Sequence, residues 1–233
     1  MYNFQSFTLE WYRELFGNTR ILIIVLNTII IALLSAAIAT MIGVCGAIGI
    51  WFMKNRISRQ TILSLNNILI VSPDVVIGAS FLILFTIIGI RLGFTSVLLA
   101  HIAFSVPIVV LMVLPKLQEL PQSIIDAARD LGASHWEVFT KVILPLITPG
   151  IFAGFFMALT YSLDDFAVTF FVTGGGFSTL SVEIYSMARR GVSLEINALS
   201  TILFVITILF VIGYYFIVSK QANGHSARLG ARK

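Results

Sequence analysis

Four positions set within or beside apolar sequence are the first candidates for chemistry. Asp74 follows Pro73 inside the run 62–90, which is otherwise free of charge. At about 12 residues into a helix it would lie ~18 Å along the axis, near the middle of a bilayer if this run crosses one. A carboxylate there costs upward of ~3 kcal/mol unless it meets water or a partner, and Pro73 loosens the local helix hydrogen bonding. Asp164 and Asp165 close the apolar run 142–163, with Tyr161 one turn earlier. Carboxylates beside an aromatic ring suit a polyvalent cation, because the ring face adds cation–π attraction to the charge. Plainer readings stand beside these: Asp74 as a contact between helices, and the Asp164–Asp165 pair as a solvated helix end. His101, inside the run 96–115, either relays protons or hydrogen-bonds a carbonyl, and the second is the expectation.

Catalysis finds no support. There is no HExxH pattern and no cluster of histidines, so neither catalytic residues nor a metal site are expected. Cys45 is the single cysteine, which rules out an intrachain disulfide and a cysteine-rich metal centre. Gly174, Gly175 and Gly176 follow no strand and open no helix, so they read as an external loop and not as a phosphate cradle. No G-x-x-x-x-G-K-[ST] string occurs, so this chain does not bind nucleotide phosphates as a P-loop does. No cofactor is expected.

The elements that position these residues must be membrane helices. Of 233 residues, 58% are hydrophobic and 11% charged, and the mean hydropathy is +0.99; a soluble core needs far less. Charges flank the apolar runs instead of interrupting them, so the runs 21–53, 62–90, 96–115, 142–163 and 197–218 read as five helical spans in the lipid bilayer. The first exceeds the ~20 residues that suffice to cross, so it tilts or projects. The net charge of +4 comes from basic residues that bracket spans, a topology signal and no nucleic-acid surface. Placing 54–61, 116–141 and the tail 219–233 in the cytoplasm puts ten Lys and Arg inside and leaves Arg13, Arg20, Arg91, Arg189 and Arg190 outside. The chain then divides into an external N-terminal segment 1–20, a transmembrane domain 21–218 and a cytoplasmic tail. Within the domain, 116–141 is a cytoplasmic loop and 164–196 an external one. Five spans with the C-terminus inside require an external N-terminus, the pattern left when one further helix precedes Met1.

The cytoplasmic loop carries the densest local signal. Ile124, Ala128 and Leu131 recur at helical spacing, with Asp126, Arg129 and Asp130 on the other side, so 123–131 reads as a short amphipathic helix that Gly132 ends. Trp136, Phe139 and Ile143 repeat the spacing in a second helix, and Pro145 and Pro149 disturb the start of the next span. Small Ala127 and Ala128 allow close backbone approach, so a partner's groove can receive the first helix while Trp136 braces the second. An amphipathic helix lying on the membrane surface is the plainer alternative. Gly150, Gly154 and Ala158 form a small-residue stripe that serves a contact with another subunit or within the chain.

Asp126-Ala127-Ala128, then Gly132, then Ile143-Leu144-Pro145 resembles the EAA signature of ABC-importer permeases, which is specific to them. SPDVVIGASFLILF at 72–85, YSLDDFAVTFFVTG at 161–174 and IYSMARRGVSLEINALSTIL at 184–203 are similar to spermidine/putrescine permeases of the C type. The likeness runs over residues 8–218. Asp126 stands where that family usually has Glu, one methylene shorter with the carboxylate kept. The family usually has six spans, and FTLEWYRELF at 7–16 resembles the external stretch after its first helix.

The resemblance implies an all-helical permease of the type I importer fold in the inner membrane of a prokaryote. It also implies partners: two cytoplasmic ATPase subunits that hydrolyse ATP, a companion permease of similar fold, and an external polyamine-binding protein. Asp126, Ala127, Ala128, Leu131, Gly132, Leu144 and Pro145 would couple to the ATPase; Asp74, Tyr161, Asp164 and Asp165 would line the substrate path. Arg189 and Arg190 contact the binding protein or anchor the membrane interface. Two other classes stay open, a permease of this kind for another organic cation, a metal complex or an organophosphonate, and a stand-alone membrane transporter or enzyme. Neither spermidine nor putrescine is favoured by the sequence.

Overall fold

The computed structural model describes residues 10–190 and, beyond them, 197, 198, 200–202, 204, 205 and 208. Residues 1–9, most of the expected fifth span and the whole tail therefore lie outside the described residues. The chain divides into two units, one Ile23–Glu183 and the other Met1–Leu22 with Ile184–Lys233. All regular structure among the described residues is helical: α1 (Glu10–Gly17), α2 (Thr19–Phe52), α3 (Arg56–Val71), α4 (Asp74–Ile88), α5 (Phe94–Gln118), α6 (Gln122–Asp130), α7 (His135–Glu137) with a π-helical continuation Val138–Ile143, α8 (Leu144–Asp164), α9 (Ala167–Val172) and α10 (Leu180–Arg190). In the second unit, Arg189 of α10 lies over the Tyr185 ring one turn back, at 5.9 Å.

In the unit Ile23–Glu183, α2 carries the expected first span. Its 34 residues make a rod of about 51 Å, far beyond the ~30 Å hydrocarbon thickness, so it tilts or projects. Thr19–Phe52, Phe94–Gln118 and His135–Asp164 are long and apolar enough to cross a bilayer, and α3 with α4 would make a fourth span if the bent pair counts as one. Exposed large side chains such as Leu26, Ile30, Leu33 and Met41 on α2, and Phe152, Phe156 and Met157 on α8, suit lipid or protein neighbours and not water.

The run 62–90 is not the single unbroken helix its hydropathy suggests. Asn55 caps α3, its Oδ1 accepting from the amides of Ile57 at 3.0 Å and Ser58 at 3.4 Å. The helix stops at Val71, and α4 leaves at an angle of 106°. Pro73 is the cause: its ring disfavours helical geometry in the preceding residue, and Ser72 accordingly sits extended at φ −70°, ψ 140°. Pro73 is extended too, so Asp74 becomes the first residue of a new helix and not a mid-helix position.

α5 is the centre of the unit. Its C-terminal half, Val109 to Leu117, packs with Ala47 and Ile50 of α2, Ile125 of α6, and Ile147 and Ala158 of α8. Its N-terminal half, with Val97, Ala100 and Phe104, packs with Ile77 and Phe85 of α4 and Val168 and Val172 of α9. The small-residue stripe serves this intrachain packing: a Cβ on Gly150 would stand 3.0 Å from the Met112 carbonyl, and one on Gly154 3.2 Å from Val109 Cγ1. The α5 and α8 backbones therefore approach closely, and these glycines are not free for a second subunit.

The segment 164–196, expected as an external loop, contains two helices, α9 and α10. The turn between them is packed: Gly174 takes φ +64°, and a Cβ there would come within 2.6 Å of Leu92 Cβ.

Candidate cation site and coupling element

The break at Pro73 and the C-terminal turn of α8 bring two of the sequence candidates together. Tyr161 Oη donates to Asp74 Oδ1 at 2.9 Å, across 87 residues of sequence. Asp74 lies in the first turn of α4, where a carboxylate complements the helix dipole, and its side chain is exposed. None of the ion pairs found among the described residues includes Asp74. Phe104 of α5 meets the Tyr161 ring edge-on, with centroids 5.2 Å apart. The result is an exposed carboxylate with an aromatic wall, able to take a cation.

The other two acids part company. Asp164 is exposed at the end of α8. Asp165 turns inward, its side chain only 5% exposed. It caps α9: Oδ1 accepts from the Val168 amide at 3.2 Å, and Oδ2 from the Thr169 amide at 2.8 Å and the Thr169 hydroxyl at 2.7 Å. His101 is also buried, and its partners are hydroxyls and not the expected carbonyl. Nδ1 lies 2.6 Å from Ser162 Oγ and Nε2 2.8 Å from Thr169 Oγ1, with Asp165 Oδ2 at 3.5 Å from Nε2. Ser35 of α2 extends the chain to Ser162 at 3.0 Å. Sequence reasoning passed over Ser35, Ser162 and Thr169. The available signal was Thr169 standing four residues after Asp165, in reach of its carboxylate.

The second candidate region is α6 to α8. The sequence puts Ile124, Ala128 and Leu131 on one side of the helix; the structure does not bury that side as a whole. Ile125 is the buried residue of α6, and Ala128 packs partly beside it, whereas Ile124 is 43% and Leu131 89% exposed. Ala127 and Asp126 are exposed as well, and Asp126 accepts from Gln122 Nε2 at 3.2 Å. Ile124, Ala127 and Leu131, at spacings of three and four, therefore form an apolar strip facing outward.

Gly132, at φ +84°, closes α6 with a Schellman pattern: its amide donates to Arg129 O at 2.8 Å and the Ala133 amide to Ala128 O at 3.1 Å. Ser134 and Glu137 then form a capping box that starts α7. Trp136 stays 71% exposed, with its ring 5.7 Å from that of Phe139. The expected second helix widens into the π-helical turn, and the Leu144 amide reaches back to Phe139 O. Pro145, the next residue, has no amide for the Lys141 carbonyl and would crowd it, which accounts for the wider turn ahead of it. Leu144 and Pro145 thereby open α8, with Leu144 partly buried and Pro145 exposed.

Comparison with known proteins gives a consistent result. Residues 39–222 match the family described as binding-protein-dependent transport system inner membrane component. The spermidine/putrescine transport system permease protein PotC of Escherichia coli K12 is 38% identical over 224 residues, 96% of this chain and 84% of that protein. The Haemophilus influenzae protein of the same name is 36% identical over 206 residues, 88% of this chain and 80% of that one. The putrescine transport system permease protein PotI of Escherichia coli K12 is 35% identical over 201 residues, 83% and 71% of the two chains. In fold, a chain of the MetNI methionine ABC transporter in inward-facing conformations aligns with TM-score 0.67 at 20% identity, covering 81% of this chain and 89% of that one.

Proposed function

Since the chain belongs to the family of binding-protein-dependent transport system inner membrane components, a multi-pass membrane permease and not an enzyme, we propose that it is the C-type permease subunit of an ATP-driven importer of polyamines. Two cytoplasmic ATPase subunits hydrolyse the ATP, a companion permease of similar fold completes the pathway, and an external binding protein delivers spermidine or putrescine. The C-terminus is cytoplasmic, a placing supported by the excess of Lys and Arg on that side.

The observation that carries the cation reading is the exposed Asp74 carboxylate, 2.9 Å from the Tyr161 hydroxyl and in none of the ion pairs among the described residues. A primary or secondary ammonium group exchanges its water for this carboxylate and the neighbouring aromatic rings. Asp164, exposed three residues beyond Tyr161, supplies a second negative charge for a second ammonium. Asp165 supports the site from within.

Coupling runs through the outward strip Ile124, Ala127 and Leu131, which seats in a groove of the ATPase. The Gly132 reversal and the turn at Leu144–Pro145 tie that helix to α8, whose far end carries Tyr161. Closing of the ATPases is thus delivered to the helix that holds the substrate ligand.

The test is reconstitution of the complete transporter in vesicles, with binding protein and internal ATP. ATP-dependent accumulation of radiolabelled spermidine or putrescine, competed by unlabelled polyamine, is expected. Accumulation of an anionic or neutral solute with no polyamine uptake contradicts the proposal.

A further inference from the structure

Beneath the Asp74–Tyr161 pair lies a polar cluster that the transport reading leaves without a role. It spans α2, α5, α8 and α9, and its members are almost wholly buried: Ser35 and Thr169 are 0%, His101 1% and Ser162 3% exposed. Burying an imidazole and three hydroxyls is costly unless each is hydrogen-bonded, and here every one is.

The direction of the bonds at Thr169 follows from proton counting. The Thr169 hydroxyl has one proton and donates it to Asp165 Oδ2 at 2.7 Å. Toward His101 Nε2, at 2.8 Å, the Thr169 oxygen is therefore the acceptor, so Nε2 carries a hydrogen. His101 Nδ1 lies 2.6 Å from the Ser162 hydroxyl, which in turn lies 3.0 Å from that of Ser35, and Ser35 Oγ donates to the Ala32 carbonyl at 3.2 Å. His101 is the only member bonded to both α8 and α9. One arm holds Ser162, the neighbour of Tyr161; the other, through Thr169, holds Asp165 and with it the start of α9.

A second path leads to the same tyrosine. Phe104 lies one turn from His101, with ring centroids 4.9 Å apart, and its ring also meets that of Tyr161 at 5.2 Å. Rotation of the last turn of α8 that carried Tyr161 off Asp74 would break the Ser162 bond and displace this ring.

We propose that His101 is a positioning residue of the cation site. As the hub of the buried network it fixes the rotation of the C-terminal turn of α8, and so holds the Tyr161 hydroxyl on the Asp74 carboxylate. It also commits the Asp165 carboxylate to α9, which leaves Asp74 as the inner carboxylate offered to the substrate. The inference rests on the cation reading of Asp74 and Tyr161.

The test measures spermidine uptake by the complete transporter in vesicles, per assembled complex, for His101→Gln, Ser162→Ala and Thr169→Val. Each is made alone and in a Tyr161→Phe background, with Asp74→Asn in parallel. Each single variant is expected to raise KM about tenfold, the effect of one well-placed hydrogen bond, while the maximal rate per complex changes less. Thr169→Ser, which keeps the hydroxyl, should restore KM to near wild type. In the Tyr161→Phe background the same substitutions should add little, because the group they position is gone.

An unchanged KM in correctly assembled single variants overturns the proposal. So does an equal rise in KM with and without the Tyr161 hydroxyl, which would mark a general structural role. If His101→Gln does not assemble, the Ser162 and Thr169 variants decide. A raised KM in Asp74→Asn with none in the network variants refutes the positioning role alone; an unchanged KM in Asp74→Asn removes the cation site and this inference with it.

Discussion

Replacing Ile125 with Ala tests the inward face of α6, since this is the helix's one fully buried side chain. Ile125 is 4% exposed and packs in the cluster that includes Val109, Val113, Val138 and Ile147. The substitution removes three carbon atoms from an apolar setting, about 2.4 kcal/mol at ~0.8 kcal/mol per buried methylene, with any unfilled cavity adding to it. At 1.4 kcal/mol per factor of ten, local opening of α6 rises about 50-fold. Hydrogen–deuterium exchange of the amides from 126 to 131, on the permease in nanodiscs, reads this directly. Ile124→Ala is the control. That side chain is 43% exposed, so its loss should leave exchange within about twofold while reducing co-purification of the ATPase. Faster exchange in Ile124→Ala than in Ile125→Ala would refute the inward placing of Ile125, and with it the choice of Ile124, Ala127 and Leu131 as the docking strip.

Three further outcomes follow. Gly132→Val places a β-branched residue at φ +84°, at a cost of about 1–2 kcal/mol; membrane insertion should survive while substrate-stimulated ATP hydrolysis falls, and normal uptake would contradict this. Gly154→Leu drives a side chain into Val109, against which even a Cβ stands at 3.2 Å, so the yield of folded permease in detergent should fall sharply, whereas Gly175→Leu, with open space around it, should not lower it. Ser134→Ala removes the cap at the start of α7, worth about 1 kcal/mol, and should speed amide exchange at 136 and 137 without altering polyamine KM in the assembled transporter.

The parts of the fold legible in the sequence are those where local pattern and tertiary demand coincide. The run 21–53 emerges as Thr19–Phe52 because it holds no charged residue and, Asn27 apart, every position is apolar or small, so no choice of face is required to recognise it. Gly132 was readable as a helix end because a left-handed residue is needed there and glycine meets it without strain. The break at 72–73 was missed because hydropathy averages across a proline, while the constraint on Ser72 is purely steric. Which face of α6 turns inward is not legible because nine residues admit two apolar stripes, and only contact with the core and the π-helical turn decides that Ile125 goes inward. Asp74 and Tyr161 were each singled out from the sequence, but their pairing across 87 residues depends on how α4 packs beside α5 and α9. Asp164 and Asp165 looked alike because adjacency hides a rotation of about 100° per residue, which sends one outward and the other into the His101 network.

The central claim, that Asp74 is a substrate ligand in a polyamine pathway, is tested most directly by spermidine uptake per assembled transporter for Asp74→Asn. Asparagine keeps the volume and still accepts from Tyr161, so folding and assembly should be retained. A unit charge at 4 Å is worth about 4 kcal/mol at an effective dielectric of 20, before desolvation is subtracted. The account predicts a rise in KM of about tenfold or more, with a matching loss of polyamine-stimulated ATP hydrolysis. Uptake equal to wild type at low spermidine concentration, in a normally assembled complex, would contradict it.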